Sequence, residues 1–166
     1  MAHNGPMADK MREALAKLLD VYDARRASDL EREQRMKDDE AQFLTQFAEL
    51  RRSVIRPVFE SAGAMLEERG HRYSIVEQEF SRAERLAEAG ISMRIVAAGT
   101  KAPLHEDQHT LSITSRHYNR TIWINSGEAQ HAGGLAGAKG AYALEKVTRQ
   151  LVEEELIAFV ARVVAS

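Results

Sequence analysis

Cysteine is absent from this 166-residue chain, and its absence excludes whole classes of chemistry. Without a thiol there is no disulfide, no thiolate nucleophile and no cysteine-ligated zinc. The absence fits a reducing compartment but also suits many periplasmic proteins; a cytoplasmic location is the expectation. Long apolar runs are missing too. None approaches the roughly 20 residues that cross a bilayer as a helix, so no membrane span is expected. An excess of one charge is also lacking. Lys and Arg number 23 against 25 Asp and Glu, for a formal net charge of −2. Residues 7–70 carry twelve basic and fourteen acidic side chains, and residues 71–166 carry eleven of each. Neither stretch has the bulk positive charge that gripping a phosphate backbone needs. Met1–Pro6 lacks the apolar segment of a signal peptide and reads as a leader ahead of a start at Met7.

What the chain does have is a division of labour. From Met7 to Gly70 it reads as one long helical arm. Met11, Leu15, Leu18, Leu19 and Tyr22 recur at steps of three and four. Asp23–Glu40 follows, with twelve charged residues in eighteen and only Leu30 and Met36 large and apolar. It has no glycine or proline, and its opposite charges recur at helical spacing, which suits a solvated helix. A flexible charged linker is the plainer alternative. The apolar pattern returns at Phe43, Phe47, Leu50, Val54, Val58 and Phe59. Pro57 interrupts it and predicts a kink or break near Val54–Arg56. Gly70 suits a left-handed C-terminal cap. A heptad frame runs through Leu15, Leu19, Tyr22, Phe43, Phe47, Leu50 and Val54, but its middle positions are charged. That predicts a coiled coil or hairpin held at its ends with a wet centre. A helix this polar cannot bury itself in its own core.

Beyond Gly70 the periodicity shortens. Tyr73–Val76 and Ile91–Ala97 read as strands, and Ser81–Ala89 between them reads as a brief helix capped by Ser81. Thr110–Tyr118 and Thr121–Asn125 alternate and predict a hairpin about Asn119. Ser126–Gly140 holds five glycines and reads as a loop. Ala141–Val164 reads as a closing amphipathic helix. The fold class is therefore α+β: a long N-terminal helical arm, a sheet of three or four antiparallel strands, and a C-terminal helix. Residues 7–40 form the arm, and residues 41–166 form a head that includes the helix over 41–69. In element order alone, the chain resembles the small globular heads of coiled-coil assembly proteins, such as kinetochore RWD-type heads. That likeness assigns no residue.

Three features invite chemistry. His105-Glu106-Asp107-Gln108-His109 matches H-E-x-x-H, a zinc-hydrolase pattern that works only on a helix. Pro103 precedes it and a strand pattern follows, so a solvated loop is the plainer reading. The glycine loop from Gly127 to Gly140, with Lys139, lies where phosphate loops lie, but it matches no phosphate-loop spacing. On the hairpin, Leu111, Ile113, Ile122 and Ile124 should face inward. Arg116, Tyr118 and Trp123, the single tryptophan, should share the other face. Rings beside a cation suit a single-stranded nucleic acid or a peptide. Cover by another element is the plainer reading for Trp123. No catalytic residue, metal ligand or cofactor is assigned. The leading expectation is a non-enzymatic homodimeric adaptor or scaffold. Leu15, Leu19, Tyr22, Phe43, Phe47, Leu50 and Val54 would carry self-association or head packing. Arg116, Tyr118 and Trp123 would form a second contact for a protein partner. Nucleic-acid binding through the hairpin face and a metal-dependent hydrolase at His105, Glu106 and His109 are the alternatives.

Overall fold

A computed structural model of the chain describes residues 6–99, 109–126 and 138–165. The chain divides into two units, residues 1–39 and 40–166. In the first, the charged stretch is helix throughout, as part of α1 (Pro6–Leu50). Proline at the first helical position costs nothing, because that N–H would have no intrahelical partner. From residue 9 to residue 39 every side chain is exposed. Local pairs such as Gln34 Nε2 donating to Asp38 Oδ1 at 3.0 Å hold this surface.

The second unit begins within α1 and continues through a five-residue π-helical turn, Arg51–Ile55, into α2 (Arg56–Glu68). Of the kink or break expected near Val54–Arg56, the break does not occur, since the helix continues through a π turn. The disturbance from Pro57 takes the form of a wider turn just before it. The Arg56 N–H reaches back to the Arg51 carbonyl, five residues away. Ser53 Oγ donates to the Glu49 carbonyl at 2.7 Å, a bond that also bends helices. The wide turn has a packing consequence. Phe43, Phe47, Arg51, Ile55, Phe59 and Gly63 are all buried, and they recur at intervals of four. In an α-helix with 3.6 residues per turn, that spacing drifts by about 40° per step. A π turn has more residues per turn and swings the stripe back toward the sheet. Gly70 ends α2 with φ of 88°. The Gly70 N–H bonds to the Glu67 carbonyl and the His71 N–H to the Leu66 carbonyl, which makes a Schellman cap.

Five antiparallel strands follow in sequence order: β1 (Arg72–Gln78), β2 (Gly90–Val96), β3 (Thr110–Arg116), β4 (Thr121–Ser126) and β5 (Ala138–Tyr142). α3 (Arg149–Ala165) closes the chain. The α+β class holds, with one strand more than expected. Two expectations fail locally. Ser81–Ala89 is no helix; Ser81 and Ala87 instead pair as an isolated bridge inside the β1–β2 connection. Nine residues are too few to nucleate a helix without a packed face, and the strand ends must be joined. The closing helix starts at Arg149, not Ala141, because Ala138–Tyr142 pairs with β4. Alanine and glycine carry little strand signal of their own, so only the pairing reveals β5. Thr148 caps α3, its Oγ1 accepting the Leu151 N–H at 3.2 Å.

The core lies between one sheet face and the helices. Ile91, Met93, Ile95, Leu111, Ile113, Ile122 and Ile124 meet Phe43, Phe47, Ile55, Phe59, Val152, Leu156 and Phe159. Each such burial contributes about 1.5–3 kcal/mol. Gly63 has no side chain because the Tyr73 ring occupies that space; a Cβ there would lie 2.3 Å from Cζ.

Arg51 is the polar exception in this core, with its side chain 8 % exposed. Its Nε is 3.1 Å from Glu77 Oε1, and its Nη2 is 2.6 Å from Glu79 Oε1. Nη1 donates to the carbonyls of Gln78 at 3.1 Å and Gly90 at 3.3 Å. Replacing Arg51 with alanine removes the donor to two carbonyls and leaves the Glu77 carboxylate with Arg56 alone. The expected loss is about 1–3 kcal/mol. Arg51→Lys should recover only part of it, because an ammonium lacks the guanidinium fork. Thermal and urea unfolding of the two variants checks both statements.

Candidate functional site

The β3–β4 hairpin turns through His117-Tyr118-Asn119-Arg120, with Arg120 in the left-handed region at φ 53°. Thr121 Oγ1 donates to Asn119 Oδ1 at 2.7 Å and fixes the turn. Register pairs Arg116 with Thr121 and Thr114 with Trp123. Arg116 and Trp123 are therefore diagonal neighbours on one face, within reach of long side chains. The structure brings the three expected hairpin residues together. The Arg116 guanidinium lies 3.7 Å from the centre of the Trp123 ring, a close cation–π contact. Arg116 Nη1 also donates to Tyr118 Oη at 3.2 Å.

The row continues around the turn through residues that the sequence did not announce. The Tyr118 ring meets His117 edge-on at 5.6 Å. His117 is buried, with Nδ1 2.8 Å from Glu88 Oε1. Its ring lies 5.0 Å from Phe80, and the Arg82 guanidinium lies 5.2 Å from the Phe80 ring. Arg82 in turn pairs with Glu40 at the start of the second unit. Trp123, Arg116, Tyr118, His117, Phe80 and Arg82 thus form one line of rings and cations from the sheet face to the β1–β2 connection. No sequence signal marked His117 with Glu88. They stand 29 residues apart and meet only because β2 and β3 pair.

Trp123 is half-buried, and its indole Nε1 is out of water with no hydrogen bond among the described residues. Thr110 Oγ1 and Asn125 Oδ1 share that condition. Tyr118, by contrast, is 62 % exposed. The surface is therefore half closed, with its cation already engaged.

A histidine held by a carboxylate is two parts of a hydrolytic triad, and the third part is a nucleophile within hydrogen-bond reach. Ser115 Oγ is committed to the Ala89 carbonyl at 2.9 Å, and Ser81 Oγ accepts the Ala83 N–H at 3.2 Å. Among the described residues no hydroxyl bonds to His117, and no group of three or more potential metal ligands occurs. Of the H-E-x-x-H match, His109 stands just before β3, and His105 to Gln108 lie outside the described residues. Most of the glycine loop, including His131, also lies outside them.

The arm residues divide. Leu15, Leu19 and Tyr22 are exposed, whereas Phe43 and Phe47 are sealed in the head core, with Leu50 and Val54 packed against it. The latter four serve head packing. Arg56 is held above its ordinary value by its hydrogen bond to Glu60, with Glu77 adding to the effect. The Tyr142 phenol is raised by burial and then by the nearby charge of Glu155. Comparison with protein-family models, curated proteins and solved structures finds no match to this chain.

Trp123 is a built-in reporter of the row. Removing the stacked cation with Arg116→Ala should change its emission intensity and increase its quenching by iodide. The fold is expected to be intact by circular dichroism. Unchanged emission and quenching would mean that the stack does not persist in solution.

Proposed function

We propose that this protein is a non-enzymatic cytoplasmic adaptor or scaffold that self-associates through α1. One observation carries the reading. Met11, Leu15, Leu18, Leu19 and Tyr22 form an apolar stripe on a continuous helix, and each is between 47 % and 66 % exposed. A stripe of five large apolar side chains in twelve residues costs stability in water unless something covers it. A second copy of the same stripe is the simplest cover. Burying the exposed half or so of ten such side chains returns roughly 8–15 kcal/mol. That is of the same order as the 4–15 kcal/mol or so that association costs in lost freedom, which suits a dimer of moderate affinity. The charged stretch that follows then acts as a soluble spacer, and partner proteins meet the head.

The test is light scattering across a dilution series. The wild-type chain should run as a dimer at micromolar concentration. The double variant Leu15→Asp/Leu19→Asp should weaken association at least 100-fold, with unchanged head stability. A wild-type monomer at those concentrations sinks the proposal.

A second reading has one observation in its favour, the Arg116–Trp123 stack with Tyr118 beside it. Single-stranded nucleic acids bind to such mixed stacking surfaces, where bases lie on rings and guanidinium planes. Titrating an oligonucleotide at low salt while following Trp123 fluorescence tests this. Binding should change the emission and weaken steeply with salt. A flat titration together with no mobility shift rejects it.

A further inference from the structure

Charge is segregated on the sheet. Glu77 is the only acid in the five strands, and it points to the helix side, where Arg51 and Arg56 hold it. Strand residues alternate in facing, so those set between the buried Ile91, Met93, Ile95, Leu111 and Ile113 look away from the helices. This open face carries Arg72, Arg94 and Arg116. Among the described residues of the strands it carries no Asp or Glu. A chain with a formal charge of −2 thus presents one face whose charges are all positive. Hydroxyls stand between the arginines. Register sets Ser74 and Thr110 on either side of Arg94, and Ser92 beside Ser112. Trp123 lies across the same face, and the residue opposite it on β5 is the small, exposed Ala141.

We infer that the open sheet face binds single-stranded nucleic acid along a diagonal path from Arg72 to the Arg116–Trp123 stack. The inference rests on the second reading above and extends it from the hairpin to the whole sheet. The arginines are spread as a strand of phosphates requires. Arg94 stands opposite Thr110, at the other end of β3 from Arg116, about 20 Å away. Arg72 lies one strand beyond Arg94 and further along, at about 8 Å. The whole path is roughly 25–30 Å long, room for several nucleotides. Guanidinium groups suit phosphate because they offer two parallel donors. Hydroxyls between them can bond sugar and phosphate oxygens. The Arg116 plane and the Trp123 ring supply the stacking surface for a base. A duplex keeps its base faces stacked away, so the ring and guanidinium favour a single strand. An acidic peptide could meet the arginines but has no base to lay on the stack. The near-neutral charge of the whole chain is no obstacle, because phosphate binding depends on the local contacts that release counterions.

The test is the anisotropy of a dye-labelled oligothymidylate titrated with the full chain at several salt concentrations. Arg72→Ala should weaken binding about fivefold at low salt. It should also lower the slope of log affinity against log salt by about 0.7, the share of one single-strand phosphate contact. Ser74→Glu sets an acid beside Arg94 and should weaken binding about tenfold. Arg72 and Ser74 are exposed, so thermal unfolding of both variants should match the wild type. Lys10→Ala removes a cation from α1 and should leave affinity and slope unchanged. Binding that falls with Arg116→Ala but not with Arg72→Ala or Ser74→Glu overturns the extended path and leaves the hairpin reading standing. No binding by the wild-type chain removes both. Polyglutamate that displaces the oligonucleotide at equal concentration overturns the inference and assigns the face to an acidic protein.

Discussion

The head depends on keeping a guanidinium in a place where charges are rarely tolerated. Arg51 sits in line with Phe43, Phe47 and Ile55, at a position that apolar periodicity reserves for a core side chain. It is stable there because its donors find acceptors on β1 and at the start of β2. Arg56 reaches the other oxygen of the Glu77 carboxylate at 3.2 Å, so one acid on the sheet ties two turns of helix. A buried ion pair adds little net stability over a hydrophobic one, but it penalises any other register strongly. The π turn and the arginine belong to one solution. The wider turn brings Arg51 toward the sheet, and the bonds of Arg51 hold the wide turn in place.

That arrangement explains which parts of the fold were legible in sequence. The α+β class, the arm, the hairpin with its inward isoleucines and the Gly70 cap all follow from local pattern. Each is decided by residues close together in the chain. Ser81–Ala89 was not legible, because its helical spacing lost to the need to join β1 and β2. Strand β5 was not legible either. Alanine and glycine reveal no face, and the strand exists only by pairing with Trp123 and its neighbours on β4. Pro57 announced a disturbance, but not that a wider turn would absorb it. Nothing in the local sequence marks Arg51 as a core residue, because its acceptors lie 27 to 39 residues away.

The candidate site divides in the same manner. Arg116, Tyr118 and Trp123 were readable together, because alternation on a short hairpin places them. His117, Glu88, Phe80 and Arg82 were not, because they come together only when β2 and β3 pair and the β1–β2 connection folds over. The row they complete mixes structural and accessible members. His117 is sealed and bonded, whereas Tyr118 stands largely in water. Residues at the open end can meet a partner, while those at the closed end hold the open end in position.

The strand order carries a consequence for how the head assembles. Among the described residues each strand after the first is bonded to its immediate predecessor in the chain, and none is inserted between earlier ones. Sheet growth therefore requires only one new ladder at a time, each closing a modest loop, which favours rapid folding for a β-containing domain. The first strand docks beneath a helix that has already been synthesised, and the last contributes mostly small residues. A ribosome emitting this chain would release a nearly complete sheet before α3 emerged to cover it.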